Sequence, residues 1–384
     1  MIYFDHAATT KVDRSVIDAI SSGFEIFGNP SSSYDIGLDA KKRIDLARHN
    51  IESTLSIPNN SFIFTSGGTE SDNFAIKTGF LIGKKLGRTK IIVSSVEHSA
   101  ILRACESMKS LGATICKISV LRDGSLNFDD LAKNLDNSTA IVSIMLSNNE
   151  TGTMMDINRA AQMAHAVGAM FHTDAVHGIT HCPQMLVNNH DIDMFSISGH
   201  KFGAPKGIGG LYINPTIQRA ISGSELISGG KQEFGIRGGT ENTPYILGLD
   251  VALKKHISNI ENAQKQIRAL GLYAINKFHE EFPYATVNGI EGMEGRNPGT
   301  ISIALHKVDA SSVVEWMNLH NIFISSGSAC NTGSHSPSHV LTSMGLSEKD
   351  AFSSIRLSFS QENTIDEIDT FFEILHKYEK IYIH

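Results

Sequence analysis

Long apolar runs are missing from this sequence: nowhere in its 384 residues are there the roughly 18 consecutive apolar positions that a membrane-spanning helix needs. The first ten residues, MIYFDHAATT, place Asp5 and His6 where a secretory leader would carry its apolar core. A basic excess is missing too. Lys and Arg number 33 against 40 Asp and Glu, a net charge of −7, which argues against nucleic acid as the main partner because phosphate binding wants positive charge. These absences predict a cytoplasmic protein with neither membrane nor nucleic acid among its partners. Cysteine is scarce. Cys105, Cys116, Cys182 and Cys330 form no C-x-x-C pair, and a chain of this length buries a sizeable core without disulfides, so reduced thiols are expected. There is no internal repeat, low-complexity segment or charge block.

Alternating strand and helix patterns are what is present. Strand-like runs cover Phe62–Thr65, Ile91–Ser94, Thr114–Ile118, Ala140–Met145, Ala169–Thr173, Met194–Ser198 and Gly210–Ile213, and most are separated by segments with apolar residues at 3–4 spacing, such as Ile157–Val167. The alternation predicts an α/β fold with a mostly parallel seven-stranded sheet flanked by helices. Two helices precede it, one capped by Asp13 and one carrying Ala40, Ile44, Ala47, Ile51 and Leu55 on a single face. Leu249–Phe282 reads as one long helix. Strands near Thr300–Leu305, Ile322–Ser325 and Ile355–Phe359 follow, then a helix with Ile368, Phe371, Phe372 and Leu375. The predicted organisation is a large domain over 15–255 and a smaller α+β domain built from 1–14 and 256–384.

In such sheets ligands sit at the C-terminal ends of the strands, and chemically capable residues cluster there. Lys201, in SGHK, ends a strand in an apolar, glycine-flanked setting, where desolvation makes an amine a usable nucleophile; a surface lysine on a turn is the plainer alternative. Asp174 closes another strand and can pair with a pyridinium nitrogen or cap a helix. Ser66-Gly67-Gly68-Thr69 opens a helix after a strand. Its backbone N–H groups suit an anion, although tight turns use the same residues, and it matches neither the P-loop nor the dinucleotide fingerprint. His98 can stack on a flat ring or bond a carbonyl. Asn148 and Asn149 can bond a hydroxyl or shape a turn. Five such groups at successive strand ends of one sheet are poorly explained by coincidence.

The ordered motifs FDHAATT, GNPSS, TSGGTES, VEHSAI, NNETG, DAVH, SGHK-x-x-x-PKGIGG, R-x-G-T-x-N and SSGSAC run nearly the whole length. In them the sequence resembles the cysteine desulfurases of the nitrogenase and iron–sulfur-cluster type, within the class V aminotransferase family. The resemblance implies pyridoxal 5′-phosphate (PLP) fold type I and PLP as cofactor. It further implies L-cysteine as substrate, alanine as product, a homodimer with shared active sites and a sulfur-acceptor protein. By position, it implies Lys201 as covalent anchor, Asp174 at the pyridine nitrogen, His98 over the ring, and Asn149 with His177 at the phenolic oxygen. Gly68, Thr69, Ser198 and His200 would hold the phosphate, joined by Thr240 from the other subunit; Asn29 and Arg356 would hold the substrate carboxylate. The family often has Gln where this chain has His177, and many relatives read NPSS-x-H where it has Tyr34.

Cys330 lies among small polar residues and glycines, SSGSACNTGS, a segment unable to bury itself. A thiol there is a poor core residue and a good carrier of sulfur as a persulfide. Cys105 and Cys116, on a helix and a strand, suit burial instead; Cys182, before Pro183, has no assigned role. The C-x4-H-x3-H spacing of Cys330, His335 and His339 lacks a fourth zinc ligand, so no metal is expected. A selenocysteine lyase, another class V PLP enzyme of aminotransferase type and a non-catalytic sulfur-relay protein are the competing readings.

Overall fold

The computed structural model describes residues 1–221, 225, 227–327 and 336–382. Its strands are β1 (Ile2–Tyr3), β2 (Phe62–Thr65), β3 (Lys90–Ser94), β4 (Thr114–Ile118), β5 (Thr139–Ser143), β6 (Met170–Asp174), β7 (Met194–Ser198), β8 (Gly209–Ile213), β9 (Thr286–Asn288), β10 (Thr300–Ala304), β11 (Ile322–Phe323), β12 (Ser325–Ser326) and β13 (Ser354–Ser358). Seven form one sheet in the order β2-β8-β7-β6-β5-β3-β4. Within it β8 pairs antiparallel with both β7 and β2, and the remaining pairings are parallel. Every residue of β2, β5, β7 and β8 is buried, as a sheet covered on both faces requires, which is why these strands read as unbroken apolar runs. The expected mostly parallel seven-stranded α/β sheet is therefore present. Strand β5 stops before the expected Met145 because the Met145 N–H is diverted to the Glu97 carboxyl at 2.9 Å.

The helix Gly68–Lys85 lies tight against the sheet: a methyl group built on Gly83 would stand 2.3 Å from the Ala140 Cβ. Glycine there lets the helix sit at backbone contact distance, and that depth aims its N-terminus at the strand ends.

The long helix expected over Leu249–Phe282 is two helices, Thr243–Ser258 and Ile260–Glu281, parted at Asn259. The 3–4 apolar spacing runs through the break, so the sequence pattern hides it. The packing explains the break: Leu249 and Leu253 point into the core around the large sheet, while Ile267 and Leu270 enter a second core. That second core holds Phe4, Phe278, Phe282, Phe371 and Phe372 over the antiparallel sheet β12-β13-β10-β9. The helices His339–Ser343 and Glu348–Phe352 return to the first core, where Val340, Leu341, Met344 and Ala351 are buried.

Candidate active site

A cavity of ≈ 480 Å³ opens at the C-terminal ends of β2, β6 and β7, with the turns that follow β3 and β5 completing its wall. Ten of the site residues implied above line it: Gly68, Thr69, His98, Asn149, Asp174, His177, Ser198, His200, Lys201 and Arg356. Asn29 and Thr240 do not. Both are exposed, and Asn29 accepts a 2.9 Å hydrogen bond from the Ser31 N–H through its side-chain oxygen. Cys330 lies outside the described residues. Three residues before it, Gly327 donates its N–H to the Ser354 carbonyl at 3.0 Å, next to β12, which pairs with the strand carrying Arg356.

The wall after β2 is an anion cradle. Gly67 has φ +147, a conformation that side chains rarely adopt, and a Cβ on Gly68 would stand 2.6 Å from Val176 Cγ2. These glycines put the first N–H groups of the helix Gly68–Lys85 at the cavity, with its positive dipole end behind them. Glu70, in the same turn, is tied away by Arg237 at 2.8 Å and by the Ser66 N–H.

Asp174 caps no helix: the short helix after β6, Gly178–Thr180, has His177 at its N-cap, and the Asp174 side chain closes the turn before it. Its Oδ1 accepts the Val176 N–H at 2.9 Å, and it faces the cavity. Burial raises its pKa, while His98, the Val176 N–H and Lys201 pull it back down. Behind it stands Asp72, only 1% exposed, which the sequence reading missed. Burial and then the charge of Asp174 push its pKa well above the usual carboxylate range. The signal was available: Asp72 follows Thr69 by three residues, the spacing that puts two helical side chains on one face.

His98 caps the helix Ser99–Met108, its Nδ1 accepting the Ala100 N–H at 3.1 Å, so a neutral ring carries its proton on Nε2. Asn148 holds its own turn through Oδ1, leaving Asn149 to face the cavity. His177 is 5% exposed; its Nε2 lies 3.1 Å from Thr300 Oγ1, and its Nδ1 is buried with no partner among the described residues. Burial holds its pKa well below the usual histidine value, with Lys201 adding to the effect, so the ring is neutral. His200 is held down to about 4 by burial and then by Lys201 and Lys206.

Lys201 is aimed by the N-terminal segment. Its Nζ donates to the carbonyls of Ala7 at 2.5 Å and Ala8 at 3.0 Å, while Thr10 bonds to the His200 carbonyl through both N–H and Oγ1. Arg356, 3% exposed, pairs with Asp5 at 2.7 Å and donates to the Asn149 carbonyl at 3.0 Å. Asp5 is a second residue the sequence reading passed over. Its partner is 351 positions away, and no local spacing reveals such a pair.

An anion cradle, a half-buried amine, a buried carboxyl and an unpaired imidazole nitrogen on one cavity fit PLP, which has a phosphate, an aldehyde, a ring nitrogen and a phenolic oxygen. The comparisons agree. The family model Aminotransferase class-V matches residues 2–371. The chain belongs to the class V aminotransferase family. It is 39% identical to a cysteine desulfurase of Gluconacetobacter diazotrophicus over 377 residues, 97% of this chain and 92% of the relative. Among solved structures, a NifS-like protein from Rickettsia africae is 32% identical with a TM-score of 0.84, all of both chains being covered. A structure named SspA in complex with cysteine is 33% identical with a TM-score of 0.78, covering 94% of this chain and 99% of that one. The fold is PLP fold type I, and PLP is the cofactor of the family.

His339 donates from Nε2 to the Glu97 carbonyl at 3.0 Å. Cys330 and His335 lie outside the described residues.

Proposed function

We infer that this chain is a PLP-dependent cysteine desulfurase, converting L-cysteine to L-alanine and passing the sulfur on. One observation carries the reading. The Lys201 amine and the buried Asp174 carboxyl share a cavity at the strand ends of a chain that resembles, along nearly its whole length, a protein named cysteine desulfurase. When bound, PLP withdraws electrons from the substrate amino acid. Lys201 anchors it and takes the substrate α-proton. Asp174 holds the pyridine nitrogen protonated, His98 covers the ring, and Asn149 and His177 face the phenolic oxygen. Gly68, Thr69, Ser198 and His200 hold the phosphate, and Arg356 with Asn29 orients the substrate carboxylate. The Cys330 thiolate attacks the substrate sulfur; an S–S bond forms, the C–S bond breaks with its electron pair staying on the carbon side, and a persulfide remains on Cys330.

The assembly belongs to the same proposal. Phe24, Phe27, Leu38 and Leu46 are all at least half exposed, Phe27 to 81%, on and between the first two helices. An apolar surface of this kind suits a second copy of the chain. Asn29 lies within the same stretch, and Thr240 is exposed too, so each would act at a site shared between subunits. A sulfur-acceptor protein completes the cycle in the cytoplasm. That placement draws support from the unpaired Cys105, Cys116 and Cys182, and no helix of the described residues is long and apolar enough to cross a membrane.

The test is Cys330→Ser. The purified variant should stay yellow with PLP and lose sulfide and persulfide production from L-cysteine; full desulfuration by it would remove Cys330 from the reaction. Strong preference for selenocysteine, or a keto acid in place of alanine, would favour a selenocysteine lyase or an aminotransferase.

A further inference from the structure

A second cavity, of ≈ 170 Å³, lies on the far side of Lys201 from the first. Ala7, His177 and Lys201 line both and form the wall between them. Four histidines face this rear space: His6, His177, His181 and His256. The Nδ1 atoms of His6, His177 and His181 are buried and have no partner among the described residues. His256 donates from Nε2 to the Ile179 carbonyl at 3.1 Å. The opposite end reaches the surface at Gln361, Glu362 and the Lys255–Asp13 ion pair.

Buried polar atoms are almost always hydrogen-bonded to protein or to ordered water. Three unpaired ring nitrogens on one cavity therefore call for water, and the volume holds on the order of five molecules. Burial lowers the pKa of all four histidines, that of His181 to about 3. Each ring is thus neutral, with one N–H to give and one lone pair to receive, which is what passing a proton along requires. MFHTDAVH and FDHAATT contribute His177 and His6 to this wall, yet the reaction assigns no role to His6, His181 or His256.

We propose that the rear cavity is a water-and-histidine route by which Lys201 exchanges protons with bulk solvent without passing through the cofactor cavity. The inference rests on Lys201 being the base of the proposed reaction. When the substrate Cα–H bond breaks, its electron pair stays with the substrate carbon and the proton forms an N–H bond on Nζ. One ammonium proton then leaves to a cavity water as another returns, so the exchange is neutral overall. The route makes Lys201 lose its memory of the α-proton, and any group returned to Cα carries solvent hydrogen.

The experiment follows the loss of the α-hydrogen of L-alanine in D2O by proton NMR, using PLP-loaded protein, for the unsubstituted chain and for Ala263→Phe. Ala263 lines the rear cavity and is not part of the cofactor cavity's lining. The route predicts that an ammonium unable to exchange hands back the substrate's own hydrogen once in three returns, so filling the space should cut the wash-out per proton removal by about a third, with the visible absorbance of the bound cofactor unchanged. Equal wash-out at equal absorbance would overturn it while leaving the desulfurase reading intact. A colourless protein that borohydride cannot fix to cofactor at Lys201 would sink the underlying reading instead. If Ala263→Phe does not fold, a high-resolution crystal structure of the unsubstituted protein decides: ordered waters on the three Nδ1 atoms support the route, and a dry cavity overturns it.

Discussion

Lys201 stands between two unlike spaces. The front cavity is walled by charge and by acids: Asp174, Asp72, Glu70 with Arg237, and Arg356 with Asp5. The rear cavity is walled by neutral imidazoles. Burial acts on both with the same physics and opposite results, since it disfavours whichever form is charged: the Asp72 and Asp174 pKa values rise at the front and the imidazole values fall at the rear. The front is thereby suited to holding charged groups of a ligand, the rear to handling protons without holding charge.

The largest break in that comparison is removal of the group common to both sides. Lys201→Ala should lower desulfuration by roughly three orders of magnitude or more and abolish borohydride-stable cofactor attachment, while thermal unfolding stays cooperative. Activity near that of the unsubstituted protein would refute the anchoring role. At the front alone, Arg356→Lys should raise the cysteine KM by roughly tenfold, because an ammonium cannot reproduce two parallel bonds to a carboxylate. Asp5→Asn should act in the same direction more weakly, since it removes the partner that aims the guanidinium. Steady-state kinetics check both, and unchanged KM values would detach Arg356 from substrate.

The smallest effect, and the one that sharpens the contrast most, is the pH dependence of stability. Around the front cavity, burial raises Glu97 to about 8 and Glu150 to about 7. Folded values above the unfolded ones mean stability that is fully present below the ordinary glutamate pKa and lost as pH rises through 7 and 8. At the rear, His181 falls to about 3 from the ordinary 6.5. A lowered imidazole contributes stability that is present above 6.5 and lost as pH falls toward 3. Urea midpoints from pH 4 to 9 should therefore carry a glutamate loss that accrues as pH rises from 4.5 to 8 and a histidine loss that accrues as pH falls from 6.5 toward 3. Glu97→Gln should flatten the alkaline side and His181→Asn the acidic side; a variant that flattens the wrong limb would contradict the assignment.

Much of the site was legible beforehand, because chemistry at strand ends is written in short contiguous motifs. SGHK, SGGT and the Asp174 strand each combine a strand end, a turn and a reactive group within a few residues, and the cavity contains all three. What was not legible depends on distance along the chain. The Asp5–Arg356 pair, the break at Asn259 and the raised pKa of Asp72 come from neighbours supplied by other elements. The same is true of Asn29 and Thr240, whose proposed work needs a surface that one copy of the chain does not supply.

The sequence by itself determined the order and kind of the elements, through apolar periodicity, and the chemical inventory of the strand ends, through turn residues that leave little conformational choice. Only the tertiary structure decided which side chains lose their water. Burial is a property of the assembled core; it is the largest cause that raises the Asp72 pKa and lowers that of His177, and the same packing makes Lys201 a wall shared by two cavities.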